Sequence, residues 1–215
     1  MRFAVGGGGD FKPVNSGTHM AICTQIVDIG LQKGSELYPK PQHKIVLRFE
    51  IPSERIEFDG KDAPAVISKS FTASMNEKAT LRKWLESWRG KTFTDAEAEQ
   101  FDVAKLLGVT VMLSVVHKES GGKIRANIAS LSAPPKGMPP VKAEGDMFIY
   151  DDEHKENYDK LSKYLKEAVD NQIRQGASAD EVYGGFANVP ERKEGFPPTG
   201  QMADANDPFG DDVPF

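Results

Sequence analysis

Residues 43–51 alternate without a break. Ile45, Leu47, Phe49 and Ile51 share one face, and Lys44, Val46, Arg48 and Glu50 share the other. Successive side chains of a strand point to opposite faces, so this segment predicts a strand with one face committed to a core. Four further segments read as strands around it. Residues 18–29 are rich in β-branched side chains and are bounded by Gly17 and Gly30. Residues 65–73 set Ile67, Lys69 and Phe71 opposite Val66, Ser68, Ser70 and Thr72. Residues 109–117 and 123–132 flank Ser120-Gly121-Gly122 and predict a hairpin.

A helical stretch separates the third strand from the fourth. Ser74 and Glu77 have capping-box spacing, and Leu81, Trp84, Leu85 and Trp88 follow at helical intervals up to Gly90. Thr94 and Glu97 repeat the capping signal ahead of Phe101, Leu106 and Leu107. Five strands with a helical insertion between the third and fourth are the order of an OB-fold, a small five-stranded Greek-key barrel. The fold expected is mainly β, with a β-sandwich as the alternative architecture.

Prolines cannot donate to a ladder, so Ser132-Ala-Pro-Pro-Lys-Gly-Met-Pro-Pro140 marks the end of the barrel. Residues 153–175 then read as one helix with a stripe of Tyr158, Leu161, Leu165, Val169 and Ile173, closed by Gly176. A lone helix would not keep that stripe in water, so it is expected to pack on the barrel or across a homodimer. Residues 176–210 are rich in Gly, Pro, Ala and Asp and show no periodicity. The expected organisation is a flexible N-terminal arm (1–14), a barrel domain (15–140), an amphipathic helix (150–176), a flexible linker (177–205) and a disordered acidic tip (206–215). The Gly6–Gly9 run lacks the Lys-Ser/Thr of a phosphate-binding loop and belongs to the arm.

Charge divides the chain in the same way. Residues 1–140 carry 19 Lys+Arg against 15 Asp+Glu, and residues 141–215 carry 8 against 17. A basic body with an acidic tail suits a body that binds a polyanion and a tail that does not. Cys23 is the only cysteine, which rules out an intramolecular disulfide and a multi-cysteine zinc site. No secretory leader and no apolar run of membrane-spanning length is read, so a cytoplasmic, non-membrane protein is expected. His19, His43, His117 and His154 lack ligand spacing, and Asp151-Asp152-Glu153 precedes a helix, where acids complement the dipole. No catalytic residue, metal or cofactor is expected.

An OB barrel binds single strands through a basic groove with aromatic faces on which bases stack. Lys44 and Arg48 share a face of the second strand, as a phosphate track requires. Lys69 and Phe71 lie together on the third, and Lys118, Lys123 and Arg125 surround the last hairpin. Tyr38, near Lys40 in the loop before the second strand, is a second stacking candidate beside Phe71. Trp84 and Trp88 are expected to pack the helix on the barrel. Arg82, Lys83, Arg89 and Lys91 are candidates for a basic rim.

The last residues, Asp211, Asp212, Val213, Pro214 and Phe215, pack acid around a terminal aromatic whose own carboxylate adds charge. Such a tip can plug an apolar pocket with a basic rim on a partner. It closely resembles the C-terminal tip of bacterial single-stranded DNA-binding proteins, several Asp followed by an aliphatic residue, Pro and Phe. That resemblance implies recruitment of replication, recombination and repair proteins. More loosely, Ile67–Ser74, Leu81-Arg-Lys-Trp-Leu85 and Trp88-Arg-Gly-Lys91 resemble phage-encoded single-stranded DNA-binding proteins, over roughly residues 15–137. The function expected is sequence-nonspecific ssDNA binding, with a bacteriophage origin and a host bacterial cytoplasm. The rival readings are an interaction protein that mimics the tail without binding DNA, and an enzyme on a barrel scaffold.

Overall fold

The computed structural model of the chain describes residues 13–34, 39–58 and 60–173. The five strands are present, most of them longer than their apolar cores suggest: β1 (Gly17–Gln32), β2 (Gln42–Phe58), β3 (Lys61–Thr72), β4 (Thr110–Ser120) and β5 (Lys123–Ser132). They pair antiparallel in the order β3-β2-β1-β4-β5, and the sheet curls strongly into a half-barrel. β1 lies at the centre and is buried along most of its length, with Ala21, Ile22, Cys23, Ile26, Val27 and Ile29 all buried. Its register shifts at Cys23/Gln25 and again at Asp28/Gly30, bulges of the kind that bend a strand and tighten its twist.

The alternation of β2 sets the inside of the curl. Leu47, Phe49 and Ile51 are fully buried with Ala21, Cys23, Ile67, Val111, Leu113 and Leu131. Each of the Leu, Ile, Val and Phe side chains contributes about 1.5–3 kcal/mol on leaving water. Helix α1 (Thr80–Arg89) packs on both β3 and β5, the two end strands of the path. It inserts Leu81, Leu85 and Trp88, and Ser87 Oγ donates to the Leu131 carbonyl at 2.6 Å. Trp88 Nε1 donates to the Thr110 carbonyl at 3.0 Å, and its ring meets Phe49 edge-on. The short α2 (Asp95–Glu99) carries the expected capping box of Thr94 and Glu97, and a 3₁₀ turn over Val103–Leu106 leads into β4.

The Ser74–Glu77 capping box does not form. α1 starts at Thr80, and Ala79 provides no side-chain cap. Ser74 Oγ instead accepts from the backbone N–H of Asn76, and Asn76 Oδ1 accepts from that of Lys78. These short-range side-chain bonds hold the segment in turns and delay the helix.

After β5 the chain crosses back over the sheet. The buried Glu50 carboxylate accepts the backbone N–H groups of Glu144 and Gly145 at 2.7 and 3.0 Å. Arg55 bridges Asp62 on β3 and Glu144 on the crossing segment. A sixth strand, β6 (Phe148–Tyr150), missed from sequence, then pairs parallel with Gln25–Val27 of β1, beyond the stretch that β4 occupies. The expected single helix over 153–175 is instead a 3₁₀ turn, Lys155–Lys160, and α3 (Lys163–Asp170). Leu161 is extended between them, and Ser162 caps α3 through the Leu165 N–H. The stripe survives this break. Leu161, Leu165, Val169 and Ile173 are buried, the first three in a second core with Val27, Ile29 and Val46 on the outer side of the sheet. Val14, assigned by sequence to the arm, is buried in the first core.

Candidate nucleic-acid interface

The structure distributes the expected binding residues over three places. Lys44 and Arg48 do share the outer face of β2, opposite the core residues. Lys44, however, is only 5% exposed, between its strand neighbours Gly30 and Thr72. Arg48 is half-buried, its Nη1 directed at Gln25 Oε1 at 3.4 Å, and burial lowers its pKa. Lys40 is exposed just before β2. Tyr38 and the tip residues Asp211–Phe215 lie outside the described residues.

Lys69 and Phe71 face inwards at the α1 end of β3, away from Lys44 and Arg48. Phe71 is 2% exposed and meets Trp84 edge-on at 5.2 Å. It is a core residue, and the stacking role assigned to it needs a correction. Lys69 on the same face does not open that face to solvent, because its long stem lets the ammonium reach 5.6 Å from the Trp84 ring centre at the core margin. Trp84, expected to be plain packing, is half-buried and is the aromatic nearest solvent in this group. Arg82 also departs from expectation. It is buried rather than part of a rim, and its guanidinium donates to the Met75 and Phe93 carbonyls and pairs with Glu86 and Asp95. An arginine at the same helical spacing as a core stripe gives no sequence signal that separates a staple from a rim.

The third place is the β4–β5 hairpin. Lys118 and Arg125 are directly opposite each other in the register, and Ser120 pairs with Lys123 across a two-residue turn. Gly121 and Gly122 both have positive φ, 57° and 75°, as a type I′ hairpin requires. Like charges set opposite each other on a sheet are destabilising in isolation. Here the hairpin passes the last β1 pairing, Gly17 with Val115, and holds its cations beyond that strand. Val116 and Ile124 are also exposed, Ile124 on the face opposite the three cations with Glu119 as its register partner.

Among the described residues no group of three or more His, Cys, Asp or Glu could hold a metal ion. Burial pushes the Cys23 thiol up to about 12, so it is a poor nucleophile. His19 and His117 donate from Nε2 to the Asn15 and Val14 carbonyls and so fasten the chain that leads into β1. No described helix is long and apolar enough to cross a membrane. Comparison with protein-family models gives no match, and comparison with curated proteins gives none.

Proposed function

We propose that the chain is a single-stranded DNA-binding protein that takes unpaired DNA without sequence readout and recruits replication, recombination or repair proteins through its acidic tip. The observation that carries this is the curled five-stranded sheet with its helical plug between β3 and β4, an arrangement consistent with an OB-like barrel. That barrel type presents loops and one strand face to oligonucleotides. Lys118 and Arg125, opposed in the register of the hairpin, add support, because cations on one face of a hairpin suit a phosphate backbone. The tip, with its resemblance to the bacterial family, supports the recruiting role, and the same resemblances favour a phage origin and a bacterial cytoplasm.

A fluorescence titration with oligo-dT at two salt concentrations tests the DNA-binding part. The expected result is sequence-tolerant binding whose log–log salt slope is about −0.7 for each phosphate neutralised. Binding that ignores salt, or equal affinity for duplex and single strand, would overturn this reading, and no binding at all would favour the tail mimic.

A further inference from the structure

The two faces of β4 and β5 carry different chemistry. Val111, Leu113 and Val115 are buried in the first core, so Met112, Ser114, Val116, Lys118 and Ser120 point to the outer side of the sheet. The register sets Met20 beside Met112, Arg125 opposite Lys118, and Lys123 opposite Ser120. Lys118, Lys123 and Arg125 therefore stand on the same face as Val116, while Glu119 and Ile124 point the other way. We infer that this outer face of β4 and β5 is the track for unpaired DNA, with the three hairpin cations on phosphates and Val116 and Met112 under bases.

This rests on the single-strand-binding reading and adds where on the sheet the strand lies. Other stretches of the outer side are already taken. α3 and β6 cover Val27, Ile29 and Val46. The segment after β5 is fastened at Thr110 and Glu50 through the N–H groups of Val141, Glu144 and Gly145. Lys44, on the same side of β2, is buried. On the hairpin side of that fastening, Thr18, Val116, Lys118 and Lys123 are exposed. Charge there favours a polyanion. Glu119 is the one carboxylate in β4 and β5, and it lies on the opposite face. The chemistry also changes along the track. Cations gather at the hairpin tip, and Val116, then Met112 with its neighbour Met20, follow towards the middle of the sheet. At a rise of about 3.4 Å per residue, Met112 lies roughly 20 Å along the strand from Lys118. A stretch of that length takes several nucleotides, in keeping with about 4–16 per OB fold. Valine and the adaptable thioether of methionine pack on any base face, so the track adds no sequence preference.

The test uses the full-length protein, labelled oligo-dT and an abasic oligomer of equal length. Lys118→Gln and Arg125→Gln should each lower the log–log salt slope for oligo-dT by about 0.7, one phosphate contact apiece. Ile124→Lys adds a cation to the same hairpin on the opposite face, across from Glu119, and should leave the slope unchanged. Val116→Glu sets a carboxylate in the row of Lys118 and should weaken oligo-dT binding about tenfold, because it meets phosphates with a like charge. Val116→Ser should weaken oligo-dT about threefold and spare the abasic oligomer, as the loss of roughly a few tens of Å² of apolar contact requires. The wild type supplies a readout that does not depend on any variant folding: saturating oligo-dT should protect Lys118 and Lys123 from acetylation. If both stay fully labelled with DNA bound, the inference is overturned while ssDNA binding stands. A salt slope raised by Ile124→Lys, or wild-type affinity in Val116→Glu, also overturns it. Loss of a concentration-dependent self-association in Val116→Glu, with oligo-dT affinity unchanged, overturns it by assigning the face to a second copy. A wild-type protein that binds neither oligomer sinks the functional reading itself.

Discussion

At the scale of single residues, Phe71 shows how a face is assigned. Period-2 alternation correctly puts it with Ile67 and Lys69, and correctly puts Lys44 with Arg48. What alternation cannot tell is which of two faces is wet when each carries a lysine. The inner face closes over Phe71 because α1 brings Trp84 against it, a contact between residues 13 apart in sequence. Arg82 was hidden for a similar reason, since its carbonyl partners Met75 and Phe93 lie in irregular segments on either side of α1. A consequence follows for mutants. Phe71→Ala should cost about 3–5 kcal/mol in urea denaturation, the range for a large aromatic removed from a core. Phe71→Leu, which fills more of the site, should keep the wild-type ssDNA affinity. A folded Phe71→Leu protein with tenfold weaker binding would return the ring to the interface.

At the scale of elements, the strands were legible and the C-terminal pieces less so. β2 announces itself because one of its faces is uniformly apolar, and β4–β5 because its turn needs two glycines. β6 is three residues long and pairs parallel with a strand more than a hundred residues earlier, so no local pattern marks it. The apolar stripe on 158–173 was right about burial and wrong about continuity, because Ser162 competes as a cap within the helical period. Since α3 docks on β1, Leu165→Ala should lower stability by about 2–4 kcal/mol. Unchanged denaturation midpoints would mean that α3 does not hold the outer core. The loop before the 3₁₀ turn adds a pH dependence. Asp151 raises the His154 pKa chiefly by hydrogen bonding at 2.7 Å. Burial works against the Asp151 charge, but bonds from His154 and from the backbone N–H groups of Glu153 and His154 leave its pKa below the ordinary value. The raised histidine contributes fully below its unfolded pKa of about 6.5 and loses that contribution as pH rises through the folded value. The depressed aspartate contributes above its unfolded value and loses this as pH falls through the folded one. The gap in melting temperature between wild type and Asp151→Asn should therefore be widest in mildly acidic solution and shrink towards pH 9. A gap that grows from mildly acidic solution towards pH 9 contradicts the pairing.

At the scale of the whole molecule, the chain combines a body with an excess of cations and a C-terminal part with an excess of acids. The two parts are expected to act on different ligands, and removing the last five residues separates them. Phe215 would supply the apolar plug, and Asp211 and Asp212 the charge, that a basic-rimmed pocket would read, so deleting residues 211–215 should abolish capture of replication proteins from bacterial lysate. The same deletion removes Asp211 and Asp212, acids that would compete with phosphates for the cations of the body. Affinity for oligo-dT should therefore stay constant or rise slightly. Any rise should fade with added salt, because screening at about 0.1 M limits such attraction to about 10 Å. Phe215→Ala alone should lose the partners without the rise in DNA affinity, since it leaves the acids in place. The pull-down and the titration are read together on one set of proteins. If the truncated chain keeps its partners, the tip is not the recruiting element. If it loses DNA instead, the tip is part of the DNA site, and the charge asymmetry has the opposite meaning from the one proposed.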